Sequence, residues 1–388
     1  MLQIQSIGKR FGEQVLFDNA SCLIEAGEKV GIVGANGHGK STLLKMILRE
    51  MVPDQGQISV HRGIRVGHLS QHLTFSEKTV LAEACLSLKV KEEGYIELHR
   101  AEAMLMGLGF SKDQLDQPPE QLSGGYQVRL NLAKALLEDP DLLLLDEPNN
   151  YLDIVSLRWL RGFLKKWRRT MLLVTHDREF MDSVTTHTIA VHRQKLRKFT
   201  GGTEKAWDQI YTEEEMHEKT RMNSERKIAH EMRFVERFRA KARRASQAQS
   251  RLKQIAKRER LDKLDEISTL SFSFNHIPNP GKWSTETRAM EFAYEGGETL
   301  IRGMELHVGS GDRIGVIGPN GKGKSTLLRL LAGELKPVAG EVRSHPSTVH
   351  GLFGQSAMGV LQNKRTIEDE INSANTMLTR TQVRDICG

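Results

Sequence analysis

The chain has 388 residues, and its 56 Lys and Arg against 49 Asp and Glu give a formal net charge of +7. This length has room for two or three domains, and the mild positive excess permits a polyanionic partner without establishing one. Cys22, Cys85 and Cys387 are far apart, which excludes a disulfide framework and a zinc cluster and favours a reducing cytosol. The sequence shows no signal peptide and no run of the ~20 apolar residues that span a bilayer, so we expect a soluble cytoplasmic protein.

The first predicted motif is a strand, a loop and a helix. The apolar stretch EKVGIVG leads into GANGHGKST, and KSTLLKMILRE has the apolar spacing of a helix. The spacing G-x-x-x-x-G-K-S in this setting is that of a phosphate-binding loop, whose backbone N–H groups hold phosphate oxygens. We expect Lys40 to reach the β- and γ-phosphates and the Ser41 hydroxyl to bind Mg²⁺. The predicted phosphate-binding residues are Gly34, Ala35, Asn36, Gly37, His38, Gly39, Lys40, Ser41 and Thr42.

The second motif is LSGGYQVRLNLAKALL at residues 122–137. Its apolar spacing predicts a long amphipathic helix, and the Ser and Gly residues favour its N-terminus. The N–H groups at such a helix start, together with the positive end of the helix dipole, predict a second anion-binding site. The residues predicted to form it are Ser123, Gly124 and Gly125.

The third motif is DLLLLDEP at residues 141–148. Four leucines in a row predict a strand that is buried on both faces, as in a parallel sheet. Asp146 and Glu147 follow at its C-terminal end, where ligands of such sheets bind. We expect Asp146 to support Mg²⁺ and Glu147 to polarise an attacking water, although an Asp-Glu-Pro sequence can also simply end a strand.

A long charged segment follows between residues 204 and about 268, without glycine or proline. Apolar or small residues recur every three to four positions, which predicts a long helix or a helical hairpin. Residues 233–260 hold 11 Lys and Arg against 2 Asp and Glu, a local charge of +9. A solvated helix face is the usual explanation of a charge run, but such faces mix signs, so this stripe favours contact with nucleic-acid phosphates.

The fourth motif repeats the first one 284 positions later. Residues 27–71 align without a gap on 311–355, with 17 identities in 45 positions, which indicates a duplicated domain. The second loop reads GPNGKGKST. Its predicted phosphate-binding residues are Gly318, Pro319, Asn320, Gly321, Lys322, Gly323, Lys324, Ser325 and Thr326.

Taken in order, the phosphate loop, Gln71, LSGG, LLLLDEP, Asp153 and His176 in VTHD resemble an ATP-binding-cassette (ABC) nucleotide-binding domain. The resemblance implies an α/β P-loop NTPase fold that binds ATP and Mg²⁺ and hydrolyses ATP. It also implies that Gln71 senses Mg²⁺ and water, that His176 holds the γ-phosphate and the water, and that Asp153 communicates across a dimer. Phe11 is implied to stack on adenine. In isolation, Phe11 would by default be a core residue and Gln71 a surface polar residue, and His176 would more often be structural.

ABC domains pair head to tail, and each ATP lies between one phosphate loop and the opposing LSGG helix. The resemblance extends to the second copy, where Tyr294 is the implied adenine-stacking residue. The implied catalytic residues are Glu147, His176 and Gln71. The implied Mg²⁺ ligands are Ser41, Gln71, Asp146, Ser325 and Gln355.

Two cassettes, no membrane span and a basic helical linker resemble the ABC-F family of ribosome-associated ATPases. This resemblance implies that the linker enters the tRNA exit site of the ribosome and contacts tRNA and ribosomal RNA. The stretch at residues 237–253 is similar to the tip of the family's helical hairpin. The implied RNA-binding residues are Arg237, Arg239, Lys241, Arg243, Arg244, Arg251 and Lys253.

We therefore expect a first ABC domain at 1–203, a basic helical linker at 204–268 and a second ABC domain at 269–388. The counterparts of LSGG and LLLLDEP would fall beyond residue 388, so we expect the second domain to be cut short and the chain alone to hydrolyse ATP slowly. A monomer with internally paired domains is expected for a longer chain, and a homodimer is possible for this one.

The sequence also departs from the family pattern. The family usually reads EPTNHLD after the carboxylates, whereas this chain reads EPNNYLD, with Asn149 and Tyr151. Glu147 and Asp153 are kept, so we expect the site to tolerate the change. The stretch between Gln71 and LSGG is too short for the large arm subdomain of some members.

Two other functions stay open on the sequence alone. The chain would suit the ATPase subunit of a membrane ABC transporter, although the basic linker offers no obvious groove for a coupling partner. It would also suit a DNA-associated ABC ATPase, although the zinc modules or very long coiled coils of such enzymes are not visible.

Overall fold

The computed structural model describes residues 1–69, 74–88, 97–238, 281–354, 365–375 and 377–387. The chain divides into two compact units, Met1–Phe272 and Ser273–Gly388. The strands of the first unit are β1 (Leu2–Phe11), β2 (Gln14–Ile24), β3 (Lys29–Val33), β4 (Gln55–Val60), β5 (Val66–His68), β6 (Leu142–Asp146), β7 (Thr170–Val174), β8 (His187–His192) and β9 (Lys195–Thr200). Its helices are α1 (Lys40–Ile47), α2 (Val80–Cys85), α3 (Leu98–Gly107), α4 (Lys112–Leu115), α5 (Gly124–Leu137), α6 (Ile154–Lys166), α7 (Arg178–Val184) and α8 (Thr203–Phe238), with a 3₁₀ turn at Pro119–Gln121.

A six-stranded sheet in the order β5-β6-β7-β3-β8-β9 forms the centre of the first unit. Its strands are parallel except β9, which pairs antiparallel with β8. A separate antiparallel sheet has the order β2-β1-β4. The predicted α/β phosphate-loop fold is therefore confirmed. Because β3, β6 and β7 are parallel, their C-terminal ends meet at one edge of the sheet, where ligands bind in such folds.

The leucines of β6 confirm the predicted strand that is buried on both faces. Leu142, Leu143, Leu144 and Leu145 are each at most 1% exposed. Leu143 and Leu145 pack into a core formed largely with helices α2 to α7. Leu142 and Leu144 pack on the other face, in a core shared with α1 and the antiparallel sheet. The alternation of a strand thus divides one apolar run between two cores.

Helix α8 runs without interruption over 36 residues from the end of the central sheet. Its first turns are anchored, since Ala206 and Ile210 are fully buried. Glu214 Oε1 lies 2.7 Å from His192 Nε2 and accepts a hydrogen bond from Arg193 Nε at 2.5 Å, which ties the helix to the turn between β8 and β9. The predicted helical segment is confirmed as far as Phe238, and its continuation lies outside the described residues.

The second unit repeats part of the first. Its strands are β10 (Trp283–Phe292), β11 (Ile301–Gly309) and β12 (Ala339–Ser344), and its helices are α9 (Lys324–Leu331), α10 (Ile367–Ala374) and α11 (Arg380–Cys387). The sheet order β11-β10-β12 corresponds to β2-β1-β4. Helices α1 and α9 begin at Lys40 and Lys324, which are 284 positions apart (324 − 40), as the duplication predicts.

The second unit differs where the first one has β3. Residues 313–317 correspond to β3 by the 284-residue shift, yet they form no strand. In β3, Val30 and Ile32 are 0% exposed, whereas their counterparts Ile314 and Val316 are 53% and 39% exposed. Strand β3 lies between β7 and β8, and its Val30 and Ile32 pack in the core shared with α1 and the antiparallel sheet. Within the described residues of the second unit, no counterpart of β7 or β8 is present.

A buried ion pair joins α2 to α5 in the first unit. The carboxylate of Glu83 is 1% exposed, pairs with the ammonium of Lys134 and accepts hydrogen bonds from the N–H groups of Ser76 and Glu77, both at 2.9 Å. Burial alone would raise the pKa of Glu83, but the hydrogen bonds from Lys134 and from the two backbone N–H groups lower it below its ordinary value. The folded state therefore favours the charged carboxylate.

We expect Lys134→Met to lower the free energy of unfolding at pH 7 by about 1–3 kcal/mol, because it leaves a buried carboxylate without its cation. A folded-state pKa that is lowered contributes stability above the unfolded pKa and loses it as the pH falls through the folded value. The difference in the free energy of unfolding between Lys134→Met and the unsubstituted chain should therefore shrink below about pH 4.3. Urea unfolding at several pH values measures this.

Lys112→Met on the exposed helix α4 is the matched control, and it should stay within about 0.5 kcal/mol of the unsubstituted chain. Equal effects of the two substitutions would contradict the stabilising role of the Glu83–Lys134 pair.

Candidate active site

The first phosphate loop connects β3 to α1 at the ligand-binding edge of the sheet. Gly37 and Gly39 have φ values of 79° and 93°, which lie in the left-handed region that glycine adopts without strain. A Cβ atom on Gly39 would also lie 3.0 Å from the Phe17 ring. Lys40 Nζ donates to the carbonyl oxygens of Gly34 at 2.8 Å and Ala35 at 3.2 Å, so it lies over the concave side of the loop.

Lys40 also interacts with the carboxylates that end β6. Burial lowers the pKa of Lys40, whereas the negative charges of Glu147 and Asp146 act in the opposite direction. These three side chains come from segments that are about 100 residues apart in the sequence. The parallel sheet brings them together at the edge where β3 and β6 end.

Glu147 has a backbone conformation that is rare for its residue type. Its φ is 50°, in the left-handed region, and its N–H donates to the carbonyl oxygen of Val174 at 2.9 Å. Such conformations cluster at functional sites, because the surrounding structure must hold them. Burial raises the pKa of the Glu147 carboxyl, and the nearby Asp146 adds to the rise, while His176 and Lys40 lower it. The carboxylate is therefore a stronger base than an exposed glutamate.

His176 lies next to Glu147. Its Nε2 is 3.4 Å from Glu147 Oε1, and its backbone N–H donates to Glu147 Oε2 at 3.4 Å. The imidazole is 64% exposed and is therefore accessible to a ligand. The loops after β6 and β7 thus place a base and an imidazole side by side.

The residues of the predicted anion site lie at the start of helix α5. Ser123 is the N-cap residue, and Gly124 and Gly125 form the first turn. Within this chain the segment lies on a surface that is exposed or half-buried. Asp153 is the N-cap residue of α6, where its Oδ1 accepts a hydrogen bond from the N–H of Ser156 at 2.9 Å. Its helix-capping role was not predicted from the sequence.

Arg129 is a functional candidate that sequence reasoning missed. Its side chain is 1% exposed and belongs to helix α5, and its Nη2 lies 3.8 Å from Asp153 Oδ2. It donates to the carbonyl oxygens of Leu108 at 2.8 Å and Tyr151 at 2.8 Å. The signal was an arginine on the apolar face of the predicted helix. It ties the LSGG helix to the segment that carries Asp153.

The aromatic candidates lie at the ends of equivalent strands. Phe11 ends β1 and is 48% exposed, with Lys9 Nζ 5.6 Å from its ring centre. Tyr294 follows β10 and is 47% exposed, and its hydroxyl lies 3.2 Å from Thr326 Oγ1. Both rings are accessible for stacking. Tyr294 is in addition linked by its hydroxyl to the second phosphate loop.

The second loop has the same internal geometry as the first. Lys324 Nζ donates to the carbonyl oxygens of Gly318 at 2.9 Å and Pro319 at 2.7 Å. Gly321 and Gly323 have φ values of 77° and 81°. The two loops are therefore built alike. Only the first one has the carboxylates and the histidine beside it within the described residues of its own unit.

Comparison with known proteins identifies the family. A family model described as ABC transporter matches residues 17–150 and 301–384, and a second model with the same description matches residues 189–274. The chain belongs to the ABC family of ATP-binding cassettes. Its relatives place it in the ABC-F group.

Three relatives illustrate the similarity. "Probable ATP-binding protein YheS" from Escherichia coli is 34% identical over 93% of this chain and 61% of its own length. "Probable ATP-binding protein YbiT" from Escherichia coli O157:H7 is 31% identical over 95% of this chain and 76% of its own length. "ATP-binding cassette sub-family F member 3" from Rattus norvegicus is 31% identical over 91% of this chain and 54% of its own length.

The chain spans 61% of the length of the Escherichia coli YheS relatives that it matches. Among solved structures, a dimeric post-hydrolysis state of the ATP-binding cassette MJ0796 bound to ADP and Pi is 26% identical, with a TM-score of 0.45, and covers 52% of this chain and 98% of its own. In the part of the cassette that the structure describes, no helix is both long enough and apolar enough to span a membrane.

The cassette offers donors that fit Mg²⁺. Ser41 lies in the first turn of α1 and Asp146 at the end of β6, and both present the oxygen atoms that this ion prefers. Mg²⁺ is usually held by one or two protein oxygens together with substrate phosphates, so these two fit its needs. Ser325 has the position of Ser41 in the second loop. When bound, the ion would neutralise phosphate charge.

Several of the predicted site residues lie outside the part of the chain that the structure describes. They are Gln71, Gln355, Arg239, Lys241, Arg243, Arg244, Arg251 and Lys253, together with the side chain of Arg237. Their roles as Mg²⁺ or RNA ligands stay predictions.

We expect Glu147→Gln to leave ATP binding within about twofold and to lower the rate of a single turnover by about 10²-fold or more, because the carboxylate no longer accepts a proton. Fluorescent-nucleotide binding and single-turnover hydrolysis measure the two effects. The control is Glu138→Gln, which makes the same change at the end of α5, where burial also raises the pKa of the carboxyl. A Glu147→Gln variant with an unchanged rate would contradict the assignment of the base.

Proposed function

We propose that this chain binds ATP with Mg²⁺ and hydrolyses the nucleotide at the first phosphate loop. The observation that carries this proposal is the conformation of Glu147, which is held at a φ of 50° with its carboxylate 3.4 Å from the imidazole of His176. A carboxylate with a raised pKa, held beside an imidazole by a strained backbone, is suited to activating water.

The roles of the surrounding groups follow from their charges. Lys40 supplies a positive charge to the phosphates, and the N-terminus of α1 adds its N–H groups. Glu147 accepts a proton from the attacking water, and His176 orients that water and the terminal phosphate. The first loop alone has all these groups beside it among the described residues, so we assign hydrolysis to this loop and nucleotide binding to both.

We further propose that the nucleotide state controls binding of the chain to the ribosome, with the basic linker as the contact to RNA. Residues 233–260 carry a charge of +9, and α8 leads toward them from an anchor on the central sheet. The ribosome as partner is what the resemblance to the ABC-F family implies, and one relative of this chain is named ATP-binding cassette sub-family F member 3. A one-sign stripe of this density suits a phosphate backbone.

We expect the affinity for ribosomes to fall steeply with salt, and the double substitution Arg243→Gln and Arg244→Gln to make the slope of log K against log salt shallower by about 0.7–0.9 per lost phosphate contact. Sedimentation with purified ribosomes measures the slope. The salt concentration should range from about 50 to 200 mM, where the affinity of such contacts changes strongly. The matched control neutralises Arg226 and Lys227, which are exposed on α8 before the basic stretch.

Other outcomes would contradict this proposal. Binding to duplex DNA that is tighter than binding to ribosomes would favour a DNA-associated ATPase. Stable co-purification with an integral membrane protein would favour a transporter subunit. A chain that pellets with ribosomes independently of the two substitutions would show that the linker is not the contact.

A further inference from the structure

Two sets of side-chain contacts, or bridges, connect the loops that follow β6 and β7, beside the backbone hydrogen bond from the N–H of Glu147 to the carbonyl oxygen of Val174 at 2.9 Å. Strands β6 and β7 pair in parallel up to Asp146 and Val174. Beyond them, the first bridge is the pair of contacts between Glu147 and His176, both at 3.4 Å. The second bridge is a hydrogen bond from the Thr175 hydroxyl to Asn149 Oδ1 at 2.7 Å. The second bridge is the shorter one.

Thr175 is well placed to hold the loop of His176. Its side chain is almost fully buried, with 6% exposure. The hydroxyl has one hydrogen, which it donates to Asn149, and its lone pairs accept the N–H of Asp177 at 3.2 Å. The residues before and after His176 are thus fixed by one oxygen atom. The imidazole between them is 64% exposed and has little packing of its own.

Asn149 is itself held by the turn after β6. The N–H of Leu152 donates to the Asn149 carbonyl oxygen at 3.2 Å, and the N–H of Asn150 donates to the Glu147 carbonyl oxygen at 3.3 Å. Its side chain therefore extends from a fixed backbone toward Thr175.

We propose that Asn149 is a positioning residue for ATP hydrolysis, whose side-chain carbonyl anchors the Thr175 hydroxyl and so fixes the loop that presents His176 to Glu147. This inference rests on the proposed ATPase activity. Asn149 does not need to touch the nucleotide in this role. It holds His176 at its distance from Glu147. The two direct contacts between these residues are 3.4 Å long and are therefore weak.

The test compares Asn149→Ala and Thr175→Val with Thr175→Ser, which keeps the hydroxyl. Loss of one hydrogen bond that contributes about 1.4 kcal/mol to the transition state corresponds to about a tenfold decrease in rate. We expect both disruptive variants to lower kcat about tenfold with KM within about twofold, and Thr175→Ser to restore most of the rate. The double variant should be no slower than either single variant, because both remove the same bond.

His176 gives a stricter criterion. In a His176→Ala background, Asn149→Ala should change kcat by less than about twofold, since the residue that it positions is gone. Thr170→Val is the matched control, because it removes another buried hydroxyl from the opposite end of β7. This control should lower stability and leave kcat unchanged. Full additivity with His176→Ala would overturn the proposal.

A second measurement does not depend on turnover. Hydrogen exchange of the backbone amides of His176 and Asp177 should accelerate about tenfold in Asn149→Ala, while amides within β7 keep their protection. Unchanged exchange at both amides would overturn the proposal even if kcat fell. If the unsubstituted chain hydrolysed no more ATP than its Lys40→Ala variant while exchange responded as expected, the proposed activity would fail and the anchoring contact would stand.

Discussion

The parallel alignment of β3, β6 and β7 is the constraint on which the site depends. Parallel strands end at the same edge, so the loop after β3, the carboxylates after β6 and the histidine after β7 meet there although they are far apart in the sequence. Burial of β6 on both faces makes this alignment rigid. The strained backbone of Glu147 persists because the residue directly follows the buried strand β6 and its N–H is bonded to Val174 of β7.

The motifs with short-range signatures could be predicted from the sequence. The four leucines of β6, the loop before α1 and the start of α5 each carry a local pattern that dictates one structure. The pair Glu83–Lys134, the buried Arg129 and the bond between Asn149 and Thr175 could not be predicted in this way. Each joins segments that are distant in the chain, and no periodicity records which polar groups will meet inside a core.

The comparison of the two units also shows what local sequence patterns can and cannot predict. The sequence repeat accounts for β12, for α9 and for the geometry of the second phosphate loop. It does not account for the exposure of residues 313–317, because the burial of a parallel strand depends on its neighbours in the sheet and not on its own apolar residues. Similar apolar patterns therefore gave a buried strand in the first unit and an exposed segment in the second.

The central claim is that the strand ends of the first unit converge on the terminal phosphate of ATP. The most direct measurement is a crystal structure of the Glu147→Gln variant grown with ATP and Mg²⁺. The account predicts the γ-phosphate between Lys40 Nζ and the His176 imidazole, with the ion on Ser41 and Asp146. A nucleotide bound away from this edge, or phosphates without contact to Lys40, would contradict it.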